Sequence, residues 1–118
     1  MIGDLIMKLL HTRTNAHVLH LKSRSYAQHV ALQEFYESLV GYADRIAETY
    51  QGMYGLISAY PATFRMLDDP QKLVESLQDW VEENRLKACD KGDTALQNII
   101  DELLAQCATT AYKLRFLK

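Results

Sequence analysis

The sequence predicts an all-α domain, a four-helix bundle with a long connection between its second and third helices. Three observations carry that expectation. Apolar residues recur at the three-and-four spacing of an amphipathic helix in four separate stretches. Only 2 prolines and 5 glycines punctuate 118 residues, too few turn formers for a sandwich of many short strands. No strand-like alternation of useful length, no internal repeat and no low-complexity segment occurs.

The first helix is read from Ile2, Leu5, Ile6, Leu9, Ala16 and Leu19, which fall on one face. The polar cluster Lys22-Ser23-Arg24-Ser25 breaks the pattern and reads as a turn. Ser25 is placed to cap the next helix, with Gln28 completing a capping box, and Ser23 is a second candidate cap. The second helix runs to about Tyr50, with a stripe of Leu32, Phe35, Tyr36, Leu39, Ala43, Ile46, Ala47 and Tyr50, and Gly52 is the expected stop. Met53 to Asp68, holding Gly55 and Pro61, reads as a long connection containing a short helical piece and running along the bundle. Asp69-Pro70 is a start signal, a capping side chain followed by proline at the first helical position. The third helix sets Leu73, Val74, Leu77, Trp80 and Val81 on one face and is expected to end at Gly92. Asp93 is the expected cap of the fourth helix, whose stripe is Leu96, Ile99, Ile100, Leu103, Cys107, Ala111 and Leu114. Four such stripes are best buried against one another in a single domain over residues 1–118. A chain of this size buries only about two thirds of its unfolded surface, so a second subunit would help to cover the rest.

Composition narrows function less than fold. Thirteen Lys and Arg against 15 Asp and Glu leave a net charge of -2, which exerts no strong pull on nucleic acid or anionic lipid. Apolar residues at 48% and charged residues at 24% are ordinary globular values. No apolar run reaches the roughly 18–20 residues needed to cross a bilayer, and the charge-interrupted opening MIGDLIMKLLHTR does not read as a signal peptide. Cys89 and Cys107 lack zinc or redox spacing and read as reduced thiols of a cytoplasmic protein. Cys107 lies on the fourth stripe as a small hydrophobe. Cys89 lies near a helix end, open to exposure. Trp80 is read as packing, as are Tyr50, Tyr54 and Tyr60 around the connection. No phosphate-binding glycine loop, nucleophile elbow or zinc-finger spacing is present.

The residues that carry chemistry lie between His17 and Glu48. With His29 as the zero of the helical wheel, Gln33 falls at about 40°, Asp44 at about 60°, Glu37 at about 80° and Glu48 at about 100°, whereas the apolar stripe centres at about 300°. Imidazole and carboxylates thus share one polar edge beside the core. His17 and His20 point within about 80° of the apolar direction of the first helix, and His11 points away toward the surface. Imidazole with carboxylate suits iron, manganese or zinc. Asp44 and Glu48 are one turn apart, so both can reach one ion or two adjacent ions, with the histidines coming from another helix or another subunit. The same residues also describe a solvated helix edge, with Arg45 or another cation pairing the acids and half-buried histidines bonded to backbone.

The run HVLHLKSRSYAQHVALQEFYESLVGYADRIAETYQG resembles the ferroxidase region of the Dps proteins, the small starvation-induced ferritin-like family. Asp44-Arg45-Ile46-Ala47-Glu48 is similar to that family's D-x-x-A-E, and His29 precedes Asp44 by an interval like the family's own. His17 keeps the family's spacing to His29, whereas His20 better resembles the histidine's local context and requires a shorter turn. The segment from Gly92-Asp93-Thr94 to Leu114-Arg115-Phe116-Leu117 resembles the family's last helix. Small ferritin-like proteins of unknown function from phage genomes are similar too. The resemblance implies a ferritin-like bundle that forms at least a two-fold dimer, two histidines from one subunit meeting the Asp and Glu of its mate. Fe(II) would bind at His17 or His20, His29, Asp44 and Glu48 and be oxidised by peroxide or oxygen, with His29, Asp44 and Glu48 as catalytic residues. Manganese or zinc could stand in place of iron. The setting implied is the cytoplasm, that of the host for a phage-encoded protein. Gln33 replaces the family's further acid, with Glu34 or Glu37 near enough to substitute. The turn glycine and a Lys-rich tail are absent, so DNA compaction is not expected. These departures frame a second expectation, a bundle without the activity that serves as an interaction or structural protein.

Overall fold

The computed structural model describes all residues, Met1–Lys118. It contains α1 (Ile2–Lys22), α2 (Tyr26–Tyr54), α3 (Pro70–Ala88) and α4 (Thr94–Phe116), and no strand. The fold is the expected all-α four-helix bundle. No helix is long and apolar enough to cross a membrane.

The predicted stripes form the core. Leu5, Leu9, Leu32, Phe35, Leu39, Ile46, Val74, Leu77, Val81, Leu96, Ile100 and Leu103 are fully buried, while Tyr36, Ala47, Tyr50, Trp80, Ala111 and Leu114 pack at its margin. Around the bundle the order is α1, α2, α4, α3, because α1 packs on α2 and α3, and α4 packs on the same two. Ion pairs Arg45–Glu102 and Lys113–Glu34 show that α2 and α4 run antiparallel. The α2–α3 connection therefore crosses the bundle diagonal, as a single long crossover does.

That crossover is a strap laid along α1. At its lower end the backbone of Ala59 presses on Gly3, where an added Cβ would stand 1.8 Å from the Ala59 carbonyl oxygen. At its upper end Asn15 Nδ2 donates to the Leu67 carbonyl at 2.9 Å, and Leu67 N–H donates to Asn15 Oδ1 at 2.8 Å. From Gly3 to Asn15 the helix rises about 18 Å, whereas Ala59 to Leu67 wound as helix would rise only about 12 Å. The strap must be extended, so the short helical piece expected there does not form.

The ends of the helices also depart from expectation in instructive ways. Ser25 caps α2 by accepting from Gln28 N–H at 3.2 Å, but the Gln28 side chain accepts from Ser23 Oγ at 2.7 Å instead of returning to Ser25. Ser23 in turn accepts the Ser25 N–H, so both candidate caps act together. The second helix passes through Gly52 and stops at Gly55, whose φ of 100° is open to glycine and strained for other residues. Asp69 caps α3 as expected. That helix ends at Ala88, before Gly92. Asp93 occupies the cap position of α4 without a capping bond. Its carboxylate is already taken by the Tyr54 hydroxyl and the Asp90 N–H.

Candidate functional site

The short turn after α1 folds α2 back along it, and this hairpin brings three of the four histidines together. His20 is buried, and its ring stacks on His29 with centroids 3.6 Å apart and planes 23° from parallel. His17 stacks on Tyr36 at 4.2 Å and lies 5.9 Å from His20. The two stacked histidines are also tied reciprocally to backbone. His20 Nδ1 is 2.7 Å from the His29 carbonyl oxygen, and His29 Nδ1 is 3.0 Å from the His20 carbonyl oxygen. A carbonyl oxygen only accepts, so each Nδ1 must carry the proton and donate it. In the neutral ring the lone pair then sits on Nε2, and neither Nε2 is sealed off without a partner. Backbone anchoring of one ring nitrogen with the other left free is the state in which histidine binds metals.

Asp44 and Glu48 lie elsewhere. At 1.5 Å per residue they stand about 22 and about 28 Å from His29 along α2. Both are exposed on the outer ridge of that helix, and neither belongs to the four ion pairs of the molecule. Arg45, a possible partner for them, binds Glu102 at 2.9 Å. Glu34, a possible substitute ligand, binds Lys113 at 2.6 Å, and Glu37 accepts from Gln33 at 3.1 Å. His11 is half-buried and not free at the surface, because Phe64 of the strap covers it at 4.6 Å.

The donors of one chain do not by themselves fit a metal ion. No three His, Cys, Asp or Glu side chains converge on a common point. The stacked rings of His20 and His29 hold their lone pairs in near-parallel planes, so one ion cannot take both in relaxed geometry. His17 and His20, tilted by 56°, can approach a shared point more readily. The helical wheel puts Tyr36 on the core stripe, and the structure adds a second role for it, the stack on His17. Its position two turns beyond His29, on the same side of α2, was the signal that it would meet the histidines.

The cysteines are structural. Cys107 is wholly buried, and burial pushes its thiol up to about 12. Cys89 is buried too, against the expectation that it was open to exposure. Gln97 Nε2 reaches its carbonyl and its Sγ, both at 3.1 Å, and burial raises the thiol pKa. Gln97 Oε1 in turn accepts from Arg85 Nε at 2.8 Å, which locks the α3–α4 turn.

Residues 20–114 match a family of unknown function, DUF5856. The chain belongs to this family. The matched region includes His20, His29, Asp44 and Glu48, while His17 lies outside it. No curated protein and no solved structure matches the chain.

Proposed function

We propose that this DUF5856 chain is a ferritin-like, Dps-related bundle that pairs about a two-fold axis and binds iron between the paired copies, with ferroxidase activity toward Fe(II). The observation that carries this reading is the histidine hairpin. Two imidazoles have Nδ1 fixed by backbone and Nε2 free, at one end of the α2 ridge that bears the unpaired Asp44 and Glu48 at its other end. A second copy laid antiparallel on that ridge, crossing near Glu37, brings His29 of one chain level with Asp44 and Glu48 of the other. The diagonal crossover between α2 and α3 is in keeping with a ferritin-like bundle.

In this arrangement His17 or His20 on one ion, and His29 on the same ion as His17 or on an adjacent one, supply neutral nitrogen ligands, and Asp44 and Glu48 supply anionic oxygen that favours the ferric product. Fe(II) is the substrate, with peroxide or oxygen as oxidant. The setting proposed is a cytoplasm, that of the host if the chain is phage-encoded, where Cys89 and Cys107 stay reduced.

The test is anaerobic Fe(II) titration followed by addition of oxidant, read as ferric absorbance. The Asp44→Ala, Glu48→Ala variant is expected to oxidise iron at least about tenfold more slowly than the unaltered protein. Equal rates would overturn the catalytic reading. The near-parallel His20–His29 stack favours a second reading, an interaction bundle in which the histidines only lock the hairpin. That reading predicts no saturable iron binding.

A further inference from the structure

We propose that the cleft between α1, the strap and α3 is a binding site for a small soluble organic phosphate. This cleft is separate from the histidine hairpin. It has a volume of about 410 Å³, within the roughly 300–1,000 Å³ of small-molecule sites.

The chemistry of its walls is one-sided. Lys8, His11 and Arg65 face it, with hydroxyls from Thr12 and Ser76, and no Asp or Glu lines it. The molecule's ion pairs use the N-terminus, Arg45, Arg85 and Lys113, so neither Lys8 nor Arg65 is engaged in an ion pair. A guanidinium fork and an ammonium with nearby hydroxyls match a phosphate's dispersed oxygens. Phe64, tilted against His11, adds an apolar wall. The space exceeds what a bare phosphate fills, so the ligand carries a further planar or apolar part.

The cleft is also held open. The strap that carries Phe64 and Arg65 is fixed below by the close approach of Ala59 to Gly3 and above by the paired Asn15–Leu67 hydrogen bonds. Two clamps fix the strap segment that carries Arg65 beside the cleft before any ligand arrives, which lowers the ordering cost of binding.

The molecule carries its own reporter. Lys8 Nζ lies 5.8 Å from the ring centre of Trp80, the single tryptophan. AMP, adenosine and phosphatidic-acid vesicles serve as probes of the full chain, followed by calorimetry and by Trp80 emission. Expected are saturable AMP binding with a change in Trp80 emission, and adenosine at least about tenfold weaker. Lys8→Gln with Arg65→Gln should weaken AMP at least about tenfold, with helicity retained, whereas Lys91→Gln in the α3–α4 turn should change nothing. The proposal is overturned if AMP does not saturate, if adenosine binds as tightly, if the double variant keeps its affinity, or if the chain binds only the vesicles.

Discussion

His20 and His29 hold the hairpin through each other's backbone, and that reciprocity sets what a substitution costs. His29→Ala removes one ring of the stack and the bond to the His20 carbonyl, while the His29 carbonyl remains to accept from His20. A loss of about 1–3 kcal/mol in folding stability is expected, measurable by urea unfolding. His17→Ala touches only the Tyr36 stack and should cost less. Cys107 gives a prediction in pH. Burial raises its thiol from 9.0 to about 12 in the folded chain. The folded state therefore keeps a proton that the unfolded state gives up above pH 9, so stability falls as pH rises between those values. Cys107→Ala should flatten that alkaline decline while lowering stability at neutral pH. An unchanged slope would contradict the assignment.

At the scale of elements, what the sequence disclosed and what it hid follow one division. Helices and their buried faces were legible because burial imposes a period on local sequence, and Leu73, Val74, Leu77 and Val81 are all buried as that period requires. Helix ends were less legible because capping groups have competitors. Asp93 is lost as a cap to Tyr54, a residue 39 positions away. Gly52 was the expected stop, yet an added Cβ there meets nothing within 4 Å and the helix runs on to Gly55. Gly52→Ala should therefore stabilise the chain by up to about 1 kcal/mol, read from thermal unfolding. Gly3→Ala should do the opposite. Its Cβ would stand 1.8 Å from the Ala59 carbonyl oxygen, and the displaced strap should cost about 1–3 kcal/mol. The candidate site divides in the same way. The wheel placed the histidines and acids on one edge, but the Nδ1–carbonyl exchange depends on how the hairpin closes. The cleft under the strap joins Lys8 to Arg65, which no local pattern connects.

At the scale of the whole molecule the proposed pairing rests on the ridge of α2 that carries the exposed Asp44 and Glu48. Gly41 is exposed there, one turn from Glu37, with open space around any added Cβ. On the proposed pairing, Gly41→Arg should leave the bundle folded and abolish the dimer, seen as a halved mass in sedimentation, with loss of the proposed iron oxidation. A shared site has a sharper signature when two defective chains are mixed. His29→Ala removes one half of each site, and the Asp44→Ala, Glu48→Ala chain removes the other. Refolded together in equal amounts they form mixed dimers in which one of two sites is whole. The measurement is Fe(II) oxidation by each variant alone and by the mixture. Near-zero rates for each alone and recovery to about a quarter of the unaltered rate on mixing are predicted for a site shared across a two-fold axis. A mixture as inactive as its components would contradict it.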